Sequence, residues 1–304
     1  MKKIWYFSFV FLLVISVFVW FLLITYPSNN LKIIACDVGQ GDAFLVSIRD
    51  FQILVDGGPN DRVLKCLSRN MPFWDKKVEV VILSHPEKDH FLGLISVFKY
   101  YEVNYLFTTP LNNSSHDWKV LKDVVGGSDT KVLNPRAGDK YRLGLIYIDI
   151  FSPSEDFLSA YLEKNNSYNG KDGLGLFESK KDPNEFSLVF LLSYKNFDAL
   201  FTGDINNSIS DMMAKKYSSY LDKERKIEYL KVPHHGSKNG LSSNLLSVIN
   251  PKVAVISVGE ANPYGHPHEE IIKMLENHKI KIIRTDKVGD IFMETDGDYM
   301  RIRN

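Results

Sequence analysis

The chain of 304 residues carries 37 basic and 37 acidic side chains, so its formal charge is zero, and 44% hydrophobic with 24% charged residues is ordinary globular composition. At zero net charge no polybasic face is advertised, so tight non-specific binding of nucleic acid through many phosphate contacts is not predicted, and any phosphate affinity has to come from a metal or from local donors. Two cysteines are too few for a disulfide framework. Cys36, inside the apolar run Leu31 to Val38, reads as a small buried hydrophobe, with pairing to Cys66 open to it outside the cytoplasm.

Ile4 to Ile24 is apolar apart from Ser8 and Ser16. At about 1.5 Å per residue a helix over this run reaches roughly 30 Å, the thickness of a bilayer's hydrocarbon core. Trp5, Tyr6, Trp20 and Tyr26 supply interfacial aromatics near its two ends. Lys2 and Lys3 precede the run and only Lys32 follows closely, which predicts a cytoplasmic N-terminus and a domain outside the cytoplasm, a single-pass membrane protein. A cleaved signal peptide is the competing reading, but Leu23-Ile24-Thr25-Tyr26-Pro27 offers no small-residue cleavage site. The expected organisation is an N-terminal tip and transmembrane helix over 1–26, a linker over 27–30 and a folded domain over 31–304.

Within that domain, Leu31 to Val38, Ala43 to Ile48 and Phe51 to Val55 read as strands, the last two joined by an Arg49-Asp50 turn. Between the first two, Asp37-Val38-Gly39-Gln40-Gly41-Asp42 allows a tight turn, close approach of a partner, and polar groups that orient ligands from outside a metal's immediate shell. A helix over Asp61 to Asn70 and a strand over Glu79 to Leu83 follow, then Ser84-His85-Pro86-Glu87-Lys88-Asp89-His90. Two imidazoles and two carboxylates beside a buried strand are the donor set of borderline divalent metals. Leu92 to Tyr100 and Ser114 to Val125 read as helices, the latter capped by Ser114 or Ser115, with a strand at Glu102 to Phe107 between them. Tyr141 to Phe151 is strand-like, interrupted at Gly144. The polar segment 154–185 breaks the alternation and reads as a mobile surface insertion, with a short helix at Glu155 to Lys164 and the length of a lid.

Strands at Phe186 to Tyr194 and Phe197 to Phe201 run into Thr202-Gly203-Asp204, which presents a carboxylate at a strand end, with a helix at Asn207 to Tyr217 after it. Ile227 to Val232 leads to Pro233-His234-His235-Gly236-Ser237, a source of a metal ligand, an imidazole for the substrate and anion donors. Val253 to Val258 precedes a loop holding Tyr264, His266 and Pro267, and Pro267 suits entry into a helix at Glu269 to Asn277. Ile280 to Arg284, Asp290 to Glu294 and Tyr299 to Ile302 complete the strands, and the alternation with helices argues α/β layering.

Taken together, Asp37 to Ala43, Leu54-Val55-Asp56-Gly57-Gly58, Ser84-His85-Pro86 with Asp89-His90, Thr202-Gly203-Asp204, Lys231 to Ser237 and Tyr264 to Pro267 resemble the metallo-beta-lactamase superfamily, and more narrowly the hydrolase domain of ComEC-type competence proteins. The resemblance covers nearly everything after residue 31 and implies an αββα sandwich with metal held between the sheet edges. By the same resemblance His85 matches a ligand of a first metal, Asp89 and His90 match ligands of a second, Asp204 matches the carboxylate bridging the two, and His235 matches the last histidine, with His234 as its alternative. Tyr264 and His266 match a substrate-side loop.

The family's H-x-H-x-D-H pattern is altered: Glu87 stands at its second histidine, and Asn184 lies near where a further histidine is expected. An oxygen-rich first position, with Glu87 either a ligand or a bystander, moves the preference among one or two divalent ions from zinc toward manganese or another harder ion, or leaves that position empty. A metal-dependent hydrolase follows as the leading expectation. Asp89 or Asp204 would orient a metal-activated water, His234 or His266 would act on the leaving group, and a phosphodiester (DNA or an envelope polymer) or another ester would be the substrate. A membrane-anchored metal-binding or scaffolding module without turnover is the alternative.

Overall fold

The computed structural model describes residues 2–25, 29–162, 172–220 and 227–303. Helix α1, Lys2–Thr25, precedes a sandwich of two mixed sheets. The first runs, edge to edge, β15 (Met300–Arg303), β14 (Ile291–Thr295), β1 (Leu31–Ala35), β2 (Phe44–Ile48), β3 (Phe51–Val55), β4 (Lys77–Leu83), β5 (Glu102–Thr108) and β6 (Lys131–Leu133). The second runs β13 (Lys281–Arg284), β12 (Val253–Ile256), β11 (Tyr229–Lys231), β10 (Phe197–Phe201), β9 (Val189–Tyr194), β8 (Ile146–Ser152) and β7 (Lys140–Leu143). In each sheet an antiparallel half is followed by a parallel half, from β3 to β6 and from β10 to β13.

Between the sheets lies a core of Ile33, Phe44, Val46 and Ile53 from one and Ile148, Phe190, Leu192 and Phe201 from the other. Helices α2 (Arg62–Asn70), α3 (Lys88–Tyr100) and α4 (His116–Gly126) cover the outer face of the first sheet. On α3 the buried Phe91, Leu94, Val97 and Phe98 recur at helical spacing, which is why that face docks. Ser115 caps α4 by accepting from the Trp118 amide at 3.3 Å. Beyond α5 (Glu155–Tyr161), the helices α6 (Asn207–Tyr220), α7 (Ser243–Ile249) and α8 (Glu269–Asn277) cover the second sheet, and a single turn, α9 (Thr285–Val288), joins β13 to β14. This is the αββα sandwich that the resemblance implied, and it bears out the α/β layering read from the alternation of strands and helices.

Several expectations are corrected. Cys36 is not a free hydrophobe: it is bonded to Cys66, tying the end of β1 to α2. Strand β6 and helices α7 and α9 were not foreseen, since three- to seven-residue elements carry too few periods to register. The second sheet's long strand begins at Val189, not Phe186, because Pro183–Phe186 forms a tight 3-10 turn first. Gly144, left-handed at φ 63°, splits the Tyr141 to Phe151 stretch into β7 and β8. Pro267 stands before the cap of α8, His268, and not in its first turn. In the polar insertion α5 ends at Tyr161, residues 163–171 lie outside the described residues as does part of the 27–30 linker, and Phe177 is buried with its backbone bridged to Leu111. Leu111, Leu158 and Phe186 make a small core beneath it.

Candidate metal centre

The parallel strands β3, β4, β10, β11 and β12 deliver their C-terminal loops to one end of the sandwich, and the chemistry-bearing residues ride on those loops. Asp56 ends β3 and Ser84 ends β4. The Ser84 amide donates to Asp56 Oδ1 at 2.7 Å and its hydroxyl to Oδ2 at 2.8 Å, which pins the start of the histidine loop. Asn113 Nδ2 donates to the Pro86 carbonyl at 2.7 Å and holds its middle. Because α3 starts within the loop, Asp89 and His90 lie in its first turn. Gly41 lies against this turn: a Cβ there would stand 2.2 Å from the Asp89 carbonyl, and φ of 141° excludes an unstrained side chain. The glycine-rich loop thus packs backbone to backbone on the loop that carries Asp89.

From the second sheet, Asp204 follows left-handed Gly203, and its amide donates to Ser187 Oγ at 3.1 Å. His234 and His235 both hold left-handed conformations, at φ 50° and 53°, a coiling that aims the two imidazoles differently. His235 turns inward, with Nδ1 2.9 Å from the Ser257 carbonyl and Nε2 3.1 Å from Asp204 Oδ2 and 3.3 Å from Asp89 Oδ2. His90 mirrors it, with Nδ1 2.9 Å from Asp56 Oδ2 and Nε2 3.4 Å from Asp204 Oδ2 and 3.9 Å from Asp89 Oδ2. A carbonyl or carboxylate partner only accepts, so each Nδ1 carries a proton, and Nε2, facing the carboxylates, is the nitrogen that would exchange its proton for an ion.

Ligand atoms of Asp89, His90, Asp204 and His235 all lie within 4.8 Å of one another. Tetrahedral ligands about 2.1 Å from one zinc-sized ion stand roughly 3.4 Å apart. The Nε2-to-carboxylate separations of 3.1 to 3.9 Å match that spacing, so these four residues fit a divalent cation. Among the described residues Nε2 of His90 is buried without a hydrogen-bond partner, as a waiting ligand atom would be.

His85 and Glu87 stand beside this cluster and are not among its four members. The His85 ring lies 4.2 Å from the His90 ring, its Nδ1 is 2.9 Å from Ser84 Oγ, and its buried Nε2 makes no hydrogen bond among the described residues. Glu87 reaches 3.9 Å from that Nε2. Although 37% of its side chain meets solvent, the crowded loop and then the Asp89 charge push its carboxyl up to about 7. Asn184 is buried in the 3-10 turn, and its Oδ1 makes no hydrogen bond among the described residues. On the solvent side, the His266 ring lies 5.6 Å from His234 and 6.5 Å from His235, and exposed Tyr264 stacks 5.7 Å from His266. Burial, then the neighbouring His235 and His234, bring the His266 imidazole down to about 4, so it is uncharged at neutral pH.

Two residues that frame the cluster were passed over individually in the sequence. Lys231, fully buried, bonds Asp204 Oδ1 at 2.9 Å and the Gly203 carbonyl at 2.7 Å, and is paired with Asp42. Asp56 is the partner of His90. A lysine inside the apolar run Tyr229 to Val232 was the available signal, since an amine is buried in a strand only against carboxylates. Burial opposes the charge on Asp42, Asp204, His90 and His235, but their mutual attraction wins. Lys231 holds Asp42 below the usual carboxylate range. His235 and Lys231 hold Asp204 far below it, and Asp204 leads the carboxylates that lift His90 and His235 well above the ordinary imidazole value. Once His90 and His235 give up a proton to bind as neutral ligands, Asp42, Asp56, Asp89 and Asp204 against Lys231 leave a surplus of negative charge that a divalent cation balances.

Comparison with known proteins agrees with the geometry. Over 297 residues the chain is 26% identical to ComE operon protein 3 of Bacillus subtilis, covering 90% of this chain and 34% of that protein. It is 26% identical over 271 residues to Recombination protein 2 of Haemophilus influenzae, covering 88% and 29%. Competence protein ComA of Neisseria gonorrhoeae is 25% identical, covering 86% and 32%. The chain therefore spans about a third of the length of these relatives. Among solved structures, the metallo-beta-lactamase fold protein YhfI of Bacillus subtilis superposes with a TM-score of 0.55 at 11% identity, over 88% of this chain and all (100%) of that one. The diiron beta-hydroxylase CmlA of Streptomyces venezuelae gives 0.50 at 12% identity, over 85% and 53%. These two likenesses concern the fold alone. The profile of the metallo-beta-lactamase superfamily spans residues 36–260, which takes in all four residues of the cluster, and this chain belongs to that superfamily.

Proposed function

We propose that the protein is a metal-dependent hydrolase of phosphodiesters or related esters, held at a membrane by α1 with its domain outside the cytoplasm. The convergence of Asp89, His90, Asp204 and His235 from both sheets carries this reading. Zinc or manganese, one ion or two, supplies Lewis acidity there, acidifying a water and polarising a phosphoryl or acyl oxygen. Asp89 has an oxygen at the solvent side of the cluster, suited to orienting the attacking water and taking its proton. His234, with His266 and Tyr264 next to it, lines the approach and is placed to bond the scissile group or leaving oxygen. His85 and Glu87 are the donors for a second ion. The relatives' names, a competence protein among them, favour DNA over a small ester.

The altered ligand pattern at Glu87 and Asn184 supports a second reading, a metal-holding or scaffolding module that turns nothing over. The detergent-solubilised full chain, loaded with manganese or zinc, separates the two when assayed on bis-nitrophenyl phosphate and single-stranded DNA. Turnover that Asp89→Ala abolishes supports the hydrolase. Bound metal with no turnover on either substrate supports the module.

A further inference from the structure

Outside α1, the five most exposed large hydrophobic side chains among the described residues are Tyr299 (81%), Phe73 (78%), Tyr100 (67%), Tyr264 (65%) and Trp74 (56%). Tyr264 belongs to the loop beside the metal cluster. The other four gather at the opposite end of the sandwich, as the strand registers require. Lys32 pairs with Ser47, Phe51 with Ile48, Ile53 with Val80, Lys77 with Glu102 and Leu31 with Thr295. The start of β1, the β2–β3 turn, the starts of β4 and β5 and the β14–β15 turn therefore share one end. Phe73 and Trp74 sit in the loop entering β4, Tyr100 in the last turn before β5, and Tyr299 in the β14–β15 turn. At strand spacings of about 4.8 Å, Tyr299 and the Phe73-Trp74 pair stand roughly 20 Å apart across this end.

The same end is where the chain arrives from α1. Tyr194 donates its hydroxyl to the Asn29 carbonyl at 2.8 Å and Arg49 donates to Asn29 Oδ1 at 2.5 Å, so Asn29 is fixed there. The four residue steps from Thr25, the last residue of α1, to Asn29 span at most about 14 Å. A headgroup layer is itself about 5–8 Å deep, so an anchored α1 leaves this end within reach of the bilayer surface. Tyrosine and tryptophan are the side chains that partition to that depth. The charges around them, Arg49, Asp50, Asp75, Lys76, Lys195, Asp296 and Asp298, are of both signs, so the attraction does not depend on anionic lipid.

We propose that this aromatic end docks on the bilayer that holds α1, seating Phe73, Trp74, Tyr100 and Tyr299 among the headgroups. Because β4 crosses the sandwich in seven residues, about 23 Å, the metal cluster then faces the aqueous phase at that height and takes its substrate from solution instead of from lipid. The proposal rests on the anchoring reading of α1 and not on the chemistry of the cluster.

The test is spin labelling of the full chain in phosphatidylcholine nanodiscs. Cys36 and Cys66 are bonded to each other, so a single introduced cysteine takes the label. Labels at Phe73→Cys and Tyr299→Cys are compared with labels at Ala261→Cys, on the metal-site end, and Phe11→Cys, in α1. The expected result is a several-fold higher ratio of oxygen to nickel-chelate collision rates at 73 and 299 than at 261, unchanged by 0.5 M salt (roughly a 4 Å screening length). A ratio at 73 or 299 equal to that at 261, with the label at 11 shielded, overturns the docking while the anchor stands. A water-exposed label at 11 removes the anchor and with it the proposal. Metal content, measured on the same samples, reports separately on the hydrolase reading.

Discussion

Asp56 never touches the space between the four ligand atoms, yet it fixes the tautomer and aim of His90 through a 2.9 Å bond. Substituting Asp56→Asn keeps the shape and removes the charge, and metal affinity is expected to fall by about 10- to 100-fold, read by competition with a chelating dye. Lys231 acts through charge. With two buried carboxylates leaning on it, Lys231→Met is expected to lower unfolding free energy by roughly 3–5 kcal/mol in the metal-free protein, measured by denaturant titration, because Asp42 and Asp204 are left facing each other without the ammonium between them. A shift below 1 kcal/mol would mean that those carboxylates take up protons or water at little cost.

Among the elements, the loop between β1 and β2 and the disulfide do different work on neighbouring ground. Gly41 admits the Asp89 backbone, so Gly41→Ala is expected to displace the first turn of α3 and to cost bound metal before it costs the fold. Metal analysis alongside far-ultraviolet circular dichroism separates the two effects. Cys36 and Cys66 close a span of 30 residues between β1 and α2. Replacing both by alanine is expected to destabilise the domain by about 2–4 kcal/mol, seen as a lowered denaturation midpoint, without reaching the cluster. The bond also agrees with a domain outside the cytoplasm, where disulfides persist.

For the molecule as a whole, the cluster is a seam. Asp89 and His90 come from the first sheet, Asp204 and His235 from the second, so an ion held by all four stabilises the sandwich against separation of its halves. Adding manganese or zinc to the chelator-treated protein at about 100 times the dissociation constant is expected to stabilise it by about 2.7 kcal/mol, measured as a rise in the thermal midpoint. An unchanged midpoint in the presence of bound metal would show that the unfolded chain holds the ion as tightly as the folded one, so that the four residues form no site of their own on folding.

Much of this arrangement was legible before folding. Glu269–Asn277 was bounded correctly as a helix, and the residues of the candidate metal cluster were legible as polar groups at the ends of apolar runs, because a buried strand must end before charge can be carried. Chain order could not say which donors meet. That His235 and not His234 enters the cluster depends on two left-handed backbone angles, and that Lys231 and Asp56 belong to it depends on strands distant in sequence lying side by side. The pairing of Cys36 with Cys66 and the shared face of Phe73, Trp74, Tyr100 and Tyr299 have the same origin: local periodicity sets which side of an element is apolar, while register and layer packing set what that side encounters.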